Sequence, residues 1–164
     1  MNSNCSKHFY SGKIMKLKTV QEIIDYAIDR EKEAVSFYTT CSERTNRDEM
    51  QDAFIEMAAE EAKHIDLLKN MDAAVLHETA VERLNDPKME SYIVEKSFHP
   101  DMSYQDLLQL AIHREAASVR LYKTLVEQTD DAAVRSILLK LVTEELKHKE
   151  RLEEFYNTGV LQEN

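Results

Sequence analysis

The sequence contains an internal duplication with a period of 84 residues. Its clearest element is a glutamate followed three places later by a histidine, which occurs as Glu61 with His64 and again as Glu145 with His148. The same register relates two further pairs, Glu31 with Glu115 and Tyr38 with Tyr122. A complete set of residues repeated without a gap indicates two copies of one structural unit. The chain is therefore expected to fold as two similar halves.

Each half has the pattern of two helices. Only two glycines and two prolines occur, and both prolines, Pro87 and Pro100, lie near the middle of the chain. On either side of them, apolar residues recur at helical spacing without a helix breaker. This pattern predicts four helices, near residues 19–45, 48–77, 102–128 and 131–156. The first and third are expected to begin at Thr19 and Ser103, each followed three places later by an acidic residue, as in a capping box.

The predicted architecture is an all-α four-helix bundle made of two helical hairpins, 19–77 and 102–156. A long crossover, 78–101, is expected to run the length of the bundle, with one short helix near 91–96. Such a crossover makes the two middle helices parallel and relates the hairpins by a two-fold axis. Residues 1–18 and 158–164 are expected to be tails on either side of a single bundle domain, 19–157.

Composition restricts the class of function. The net charge of −10 argues against nucleic acid and against an anionic membrane surface as partners. No window is long and apolar enough to span a membrane, and the first residues lack the apolar stretch of a secretion signal. We therefore expect a cytoplasmic protein. The two cysteines, Cys5 and Cys41, form no Cys-x-x-Cys pair and suit a reducing compartment.

Both lone glutamates, Glu31 and Glu115, fall on the apolar face of their helices. An unpaired buried carboxylate is costly, so a cation is expected beside each. A glutamate and a histidine at positions i and i+3 lie on one helix face and can reach one metal ion. The sequence thus predicts a metal site from six residues in one layer: Glu31, Glu61, His64, Glu115, Glu145 and His148. Four carboxylates and two imidazoles match two iron ions, with manganese or zinc as alternatives.

By symmetry, Glu31 and His64 are expected on one metal and Glu115 and His148 on the other, with Glu61 and Glu145 bridging. Tyr38 and Tyr122 are candidates for hydrogen bonds to carboxylates across the bundle, which would support catalysis; the alternative is that they are ordinary core tyrosines. Glu60 and Glu144 also recur in the 84-residue register. Because they lie off the apolar stripe, we interpret them as solvated charges.

The order of these motifs resembles the ferritin-like superfamily, and within it the rubrerythrin-type di-iron proteins, over residues 19–156. The resemblance implies a ferritin-like bundle with a carboxylate-bridged di-iron centre that reacts with peroxide or oxygen in oxidative stress. It also implies that the protein forms a homodimer.

Three features depart from the family pattern. The sequence has no rubredoxin domain, which implies an external electron donor such as a rubredoxin-like protein. Ser118 stands where rubrerythrins have an additional glutamate. The remaining six-ligand set resembles that of bacterioferritins, but the segment after the fourth helix is too short for their fifth helix.

The leading hypothesis is a di-iron oxidoreductase that reacts iron(II) or an external reductant with peroxide or oxygen. Two alternatives stay open at this point. One is an iron-sequestering storage subunit, and the other is a non-catalytic bundle that holds a different metal or none.

Overall fold

A computed structural model describes residues 19–71, 76, 99 and 101–162, with the side chains described as far as 158. It contains four long helices: α1, Val20–Arg44; α2, Asp48–Lys69; α3, Tyr104–Glu127; and α4, Ala132–Gln162. Helices α1 and α2 pack as one hairpin, and α3 and α4 pack as the second. No strand occurs in the described residues. The predicted all-α four-helix bundle is confirmed.

Side-chain caps explain where the helices begin. The Thr19 hydroxyl accepts the Glu22 backbone N–H at 3.1 Å, and the Glu22 carboxylate accepts the Thr19 N–H at 3.3 Å. Ser103 caps α3 through the Asp106 N–H at 3.1 Å. These three contacts satisfy N–H groups at the helix starts that have no partner within the helix. The starts predicted at Thr19 and Ser103 are confirmed.

Helix α2 is shorter than predicted, because it ends at Lys69 rather than near residue 77. At the next position, the Asn70 side chain donates to the Asp66 carbonyl at 2.7 Å, and its backbone N–H bonds to the same carbonyl at 3.3 Å. An asparagine that bonds to nearby backbone groups competes with continued helix, so it favours termination. The apolar pattern alone did not reveal this stop.

Helix α4 is longer than predicted, because it continues to Gln162 through Gly159. The expected tail at 158–164 is therefore wrong over 158–162. Glycine weakens a helix interior by about 1 kcal/mol relative to alanine but does not remove a backbone hydrogen-bond donor as proline does. One glycine near the end of a long helix consequently does not stop it.

The hairpins pack with each helix antiparallel to its counterpart in the other half. The Arg44 guanidinium at the end of α1 donates to the Met102 carbonyl, just before α3, at 3.2 Å. The Phe54 and Phe155 rings, from the start of α2 and the second half of α4, lie 6.3 Å apart. These contacts place the C-terminal end of one helix beside the N-terminal end of its counterpart, which is the arrangement that a two-fold axis across the bundle requires.

The core consists of two apolar clusters, one toward each end of the bundle. The first contains Ile23, Ile24, Leu68, Leu125 and Leu138, all 2% exposed or less. The second is built around Phe54, Met57, Leu108 and Leu152, which are equally buried. All six candidate metal ligands occupy sequence positions between these clusters. The apolar packing on both sides therefore encloses a single polar layer.

Several sequence predictions concern residues outside the described part of the chain. These are the tail at 1–18, most of the crossover at 78–101 and the short helix near 91–96. Within the part of the chain that the structure describes, no helix is long and apolar enough to cross a membrane.

Candidate metal centre

The polar layer contains all six predicted ligands, and the four helices contribute to it in the two-fold pattern of the duplication. Helices α1 and α3 each provide one glutamate, and α2 and α4 each provide a glutamate and a histidine. All six side chains are buried: Glu31, Glu61, His64, Glu115, Glu145 and His148. Since buried charged groups need compensating partners, their convergence is the feature of the fold that most needs an explanation.

The first group of converging atoms belongs to Glu31, Glu61, His64 and Glu145. One potential ligand atom from each lies within 4.8 Å of the others. His64 Nδ1 is 2.7 Å from Glu61 Oε2, 2.9 Å from Glu145 Oε1 and 3.7 Å from Glu31 Oε2. Three carboxylates therefore surround one imidazole nitrogen.

The second group consists of Glu61, Glu115, Glu145 and His148, again with ligand atoms within 4.8 Å of one another. His148 Nδ1 lies 3.1 Å from Glu61 Oε1 and 3.7 Å from Glu115 Oε2. Glu61 and Glu145 belong to both groups. The structure thus brings the residues together in the division that symmetry predicted, while their role as ligands stays a prediction.

Four buried atoms of the cluster have no hydrogen-bond partner: Glu61 Oε2, His64 Nδ1, Glu115 Oε2 and Glu145 Oε1. His64 Nδ1 lies close to Glu61 Oε2 and Glu145 Oε1, but the groups are not oriented to form hydrogen bonds. Unsatisfied buried polar atoms are rare in folded proteins because each costs about 1–3 kcal/mol. Carboxylate oxygens and an imidazole nitrogen that point at shared positions are the donor set that metal ions of the iron and manganese type accept. The residues present therefore fit a dinuclear metal site.

Without metal, the pKa values of the glutamates in the layer are strongly shifted. Burial raises the pKa of Glu31 from 4.5 to about 8, and burial together with the charge of Glu115 raises the pKa of Glu145 well above its usual range. Burial also opposes the charge of Glu61, but the neighbouring His148 and His64 rings outweigh it and lower the pKa of Glu61 to about 2.

Both histidines favour the charged form. Burial alone would lower the pKa of His148, but contacts with Glu115 and Glu61 outweigh it and raise the pKa to about 11. The carboxylates around His64, that of Glu145 first, likewise outweigh burial and hold its pKa far above the usual range. Imidazolium groups therefore offset the carboxylate charge when no metal is bound.

A family model described as rubrerythrin matches residues 22–158. The chain belongs to the rubrerythrin family. Neither the curated proteins nor the solved structures gave a match to this sequence. The family implies a dinuclear iron site, and the buried glutamates and histidines form a cluster able to bind metal.

In this rubrerythrin-family protein, Tyr38 and Tyr122 connect the hairpins. The Tyr38 hydroxyl donates to Glu115 Oε1, and the Tyr122 hydroxyl donates to Glu31 Oε1. Both rings are fully buried, and burial together with the carboxylate charge raises the pKa of each phenol well above its usual range. Each tyrosine is therefore a stable hydrogen-bond donor that holds one carboxylate of the opposite hairpin. A part in catalysis stays a prediction.

Glu60 and Glu144 are not the solvated charges that their helix positions suggested. Glu144 Oε2 is 2.9 Å from His64 Nε2, and Glu60 Oε2 is 2.7 Å from His148 Nε2. Their side chains retain 47% exposure at Glu60 and 30% at Glu144. The helical period placed them correctly beside the buried stripe but said nothing about the neighbouring helix, which they contact. Their recurrence in the 84-residue register was the sequence feature that indicated a role shared by both halves.

We expect metal binding to release several protons at pH 7. Without metal the pKa of Glu31 is about 8 and that of His148 about 11, and the pKa values of His64 and Glu145 are raised well above their usual ranges, yet metal ligands must be deprotonated. Isothermal titration with manganese(II) in two buffers of different ionisation enthalpy should give different binding enthalpies, and affinity should rise with pH. A binding enthalpy that is the same in both buffers would contradict the protonation scheme.

Proposed function

We propose that this protein is a di-iron oxidoreductase that reacts iron(II) or an external reductant with peroxide or oxygen. The observation that carries the proposal is the pair of four-residue groups that share Glu61 and Glu145. A shared pair of carboxylates suits two ions held side by side, as in dinuclear sites with metals about 3.5–4 Å apart. Membership of the rubrerythrin family supports the same proposal of a dinuclear site.

In this proposal, Glu31 and His64 would hold one ion and Glu115 and His148 the other, with Glu61 and Glu145 within reach of both. Two iron ions would supply one-electron exchange between the iron(II) and iron(III) states next to a small oxidant. Reduction of one peroxide to two water molecules consumes two electrons and two protons. Iron(II) in excess or an external donor such as a rubredoxin-like protein would supply the electrons.

The protein's own contribution is orientation and exclusion of water. The apolar clusters on both sides of the layer strengthen its electrostatic interactions by keeping bulk water away. Tyr38 and Tyr122 fix one oxygen of Glu115 and of Glu31, which leaves the second oxygen of each carboxylate turned toward the histidines. The proposal also includes a cytoplasmic location, from the sequence, and a homodimer, from the resemblance to related bundles and because two-fold dimers are the commonest assembly.

The decisive experiment is the metal content of the full-length protein, followed by its optical spectrum while iron(II) and then peroxide are added without oxygen. We expect two irons per chain and a rise in near-ultraviolet absorbance as iron(II) is oxidised. Sedimentation of the same sample separates a small oligomer from a cage-sized storage particle. A protein that takes up no iron, or whose bound iron is oxidised neither by peroxide nor by oxygen in an aerobic repeat, would refute the proposal.

A further inference from the structure

The contacts of Glu60 and Glu144 fix the outer edges of both histidines. Each histidine has one ring nitrogen, Nδ1, among the buried carboxylates and the other, Nε2, toward the surface of the bundle. The outer nitrogen of His64 lies against Glu144, and the outer nitrogen of His148 lies against Glu60, at 2.9 and 2.7 Å. Each ring thus has Nδ1 in the buried layer and a glutamate carboxylate against Nε2.

These outer contacts select the form of the ring that a metal needs. An ionised carboxylate only accepts hydrogen bonds, so Nε2 of each histidine is the donor in its contact. The nitrogen then left to bind a metal is Nδ1, which at His64 is buried and has no hydrogen-bond partner. A carboxylate on the far nitrogen of a ligating histidine typically fixes ring orientation and raises the basicity of the ligand.

The outer contacts also cross the boundary between the halves of the duplication. Glu60 precedes Glu61 on α2 but contacts a histidine of α4, and Glu144 precedes Glu145 on α4 but contacts a histidine of α2. Adjacent residues of one helix thus serve both hairpins. Within each Glu-Glu pair, one carboxylate lies in the buried layer, and the other contacts the histidine of the opposite hairpin.

We propose that Glu144 and Glu60 are positioning residues, each of which orients the metal-binding histidine of the opposite hairpin. This inference rests on the proposed metal centre. It makes the affinity of each half of the centre depend on a residue that the facing hairpin supplies. Glu144 should therefore act on the ion beside His64, and Glu60 on the ion beside His148.

The test uses zinc(II), a diamagnetic probe, added in less than one equivalent to the full-length protein with isotope-labelled histidine. The ratio of the zinc-induced NMR shifts of the His64 and His148 rings reports which half of the centre fills first. Loss of a carboxylate on a ligating histidine typically weakens metal binding by about 10- to 100-fold. Relative to the parent, Glu144→Ala should move the ratio about tenfold toward His148, and Glu60→Ala should move it toward His64 by a similar factor.

Matched variants separate positioning from a general loss of charge or of fold. Glu150→Ala removes an exposed carboxylate two residues from His148 and should leave the ratio at the parent value. Glu144→Gln and Glu60→Gln keep an oxygen acceptor of the same size and should move the ratio in the same directions, by a smaller factor than the alanine variants. The glutamine variants carry the test if an alanine variant fails to fold.

The outcomes distinguish this inference from the proposed function. A parent protein that binds no zinc(II), iron(II) or manganese(II) refutes the metal centre itself. If the parent binds zinc and the Glu144 and Glu60 variants show the same ratio of zinc-induced shifts as the parent, the positioning role alone is overturned. A shift in the opposite direction, with Glu144 acting on His148, overturns the crosswise assignment.

Discussion

Glu145→Gln should reduce the rate of iron(II) oxidation by at least about 100-fold while leaving the metal-free protein as stable as the parent or more stable. Glu145 is buried, lies in both groups of converging atoms and has an oxygen without a hydrogen-bond partner. In the proposed centre, its replacement removes a carboxylate that both ions would share. It also removes a carboxylate whose ionisation the buried layer opposes, which should add about 1 kcal/mol to the free energy of unfolding without metal.

The measurements are stopped-flow absorbance with iron(II) and peroxide, and urea unfolding in the presence of a chelator. Glu150→Gln is the matched control, because it neutralises an exposed glutamate on the same helix and should change neither quantity. Glu144→Gln is unsuitable as a control, since Glu144 contacts His64. Iron oxidation at the parent rate by Glu145→Gln would mean that the shared carboxylates do not form the reactive site.

Removal of metal should lower the melting temperature of the protein by about 15 °C at pH 7. A ligand present at 100 times its dissociation constant stabilises the folded state by about 2.7 kcal/mol, and the proposed centre would bind two ions. In a domain of this size, 1 kcal/mol corresponds to about 2–4 °C in melting temperature. Calorimetry of the manganese(II)-loaded protein before and after chelation measures the change.

The pH dependence of the metal-free protein adds a second check. The pKa of Glu31 is about 8 in the folded protein, against 4.5 for an ordinary glutamate. Between pH 4.5 and pH 8 the folded protein therefore binds a proton at Glu31 that the unfolded chain does not bind. Its contribution to stability is therefore complete below about pH 4.5 and is lost as the pH rises through about 8. The difference in melting temperature between the metal-loaded and the metal-free protein should therefore increase from about pH 4.5 to about pH 8. A difference that decreases toward pH 8 would contradict the raised pKa of Glu31.

The sequence allowed much of this arrangement to be predicted, because the duplication supplies two independent copies of each signal. The register paired Glu31 with Glu115, and the apolar stripe placed both inside the bundle, where the structure has them. Helix starts were also predictable, since capping by Thr19 depends on neighbours three residues away.

Features that depend on contacts between helices or on weak local competition were not predictable in the same way. The positions of Glu60 and Glu144 on their own helices are compatible with solvent, and only the antiparallel approach of α2 and α4 brings them to the histidines. The end of α2 at Asn70 and the passage of α4 through Gly159 each depend on about 1 kcal/mol of local free energy. Free-energy differences of that size are smaller than the contribution of tertiary packing to helix stability, so the local sequence does not decide where these helices end.

The crossed hydrogen bonds of the tyrosines have a consequence for the origin of the bundle. Tyr38 donates to Glu115 and Tyr122 donates to Glu31, so each hairpin supplies one tyrosine hydrogen bond to a glutamate of the other. Two separate copies of a single hairpin, arranged about the same axis, would contain the same donors: four glutamates, two histidines and two tyrosines. The present chain thus has the composition expected of a symmetric dimer whose subunits were joined end to end. A single chain can differ between its halves, as Glu33 does from Ala117, whereas in a dimer of identical hairpins each substitution would appear in both halves at once.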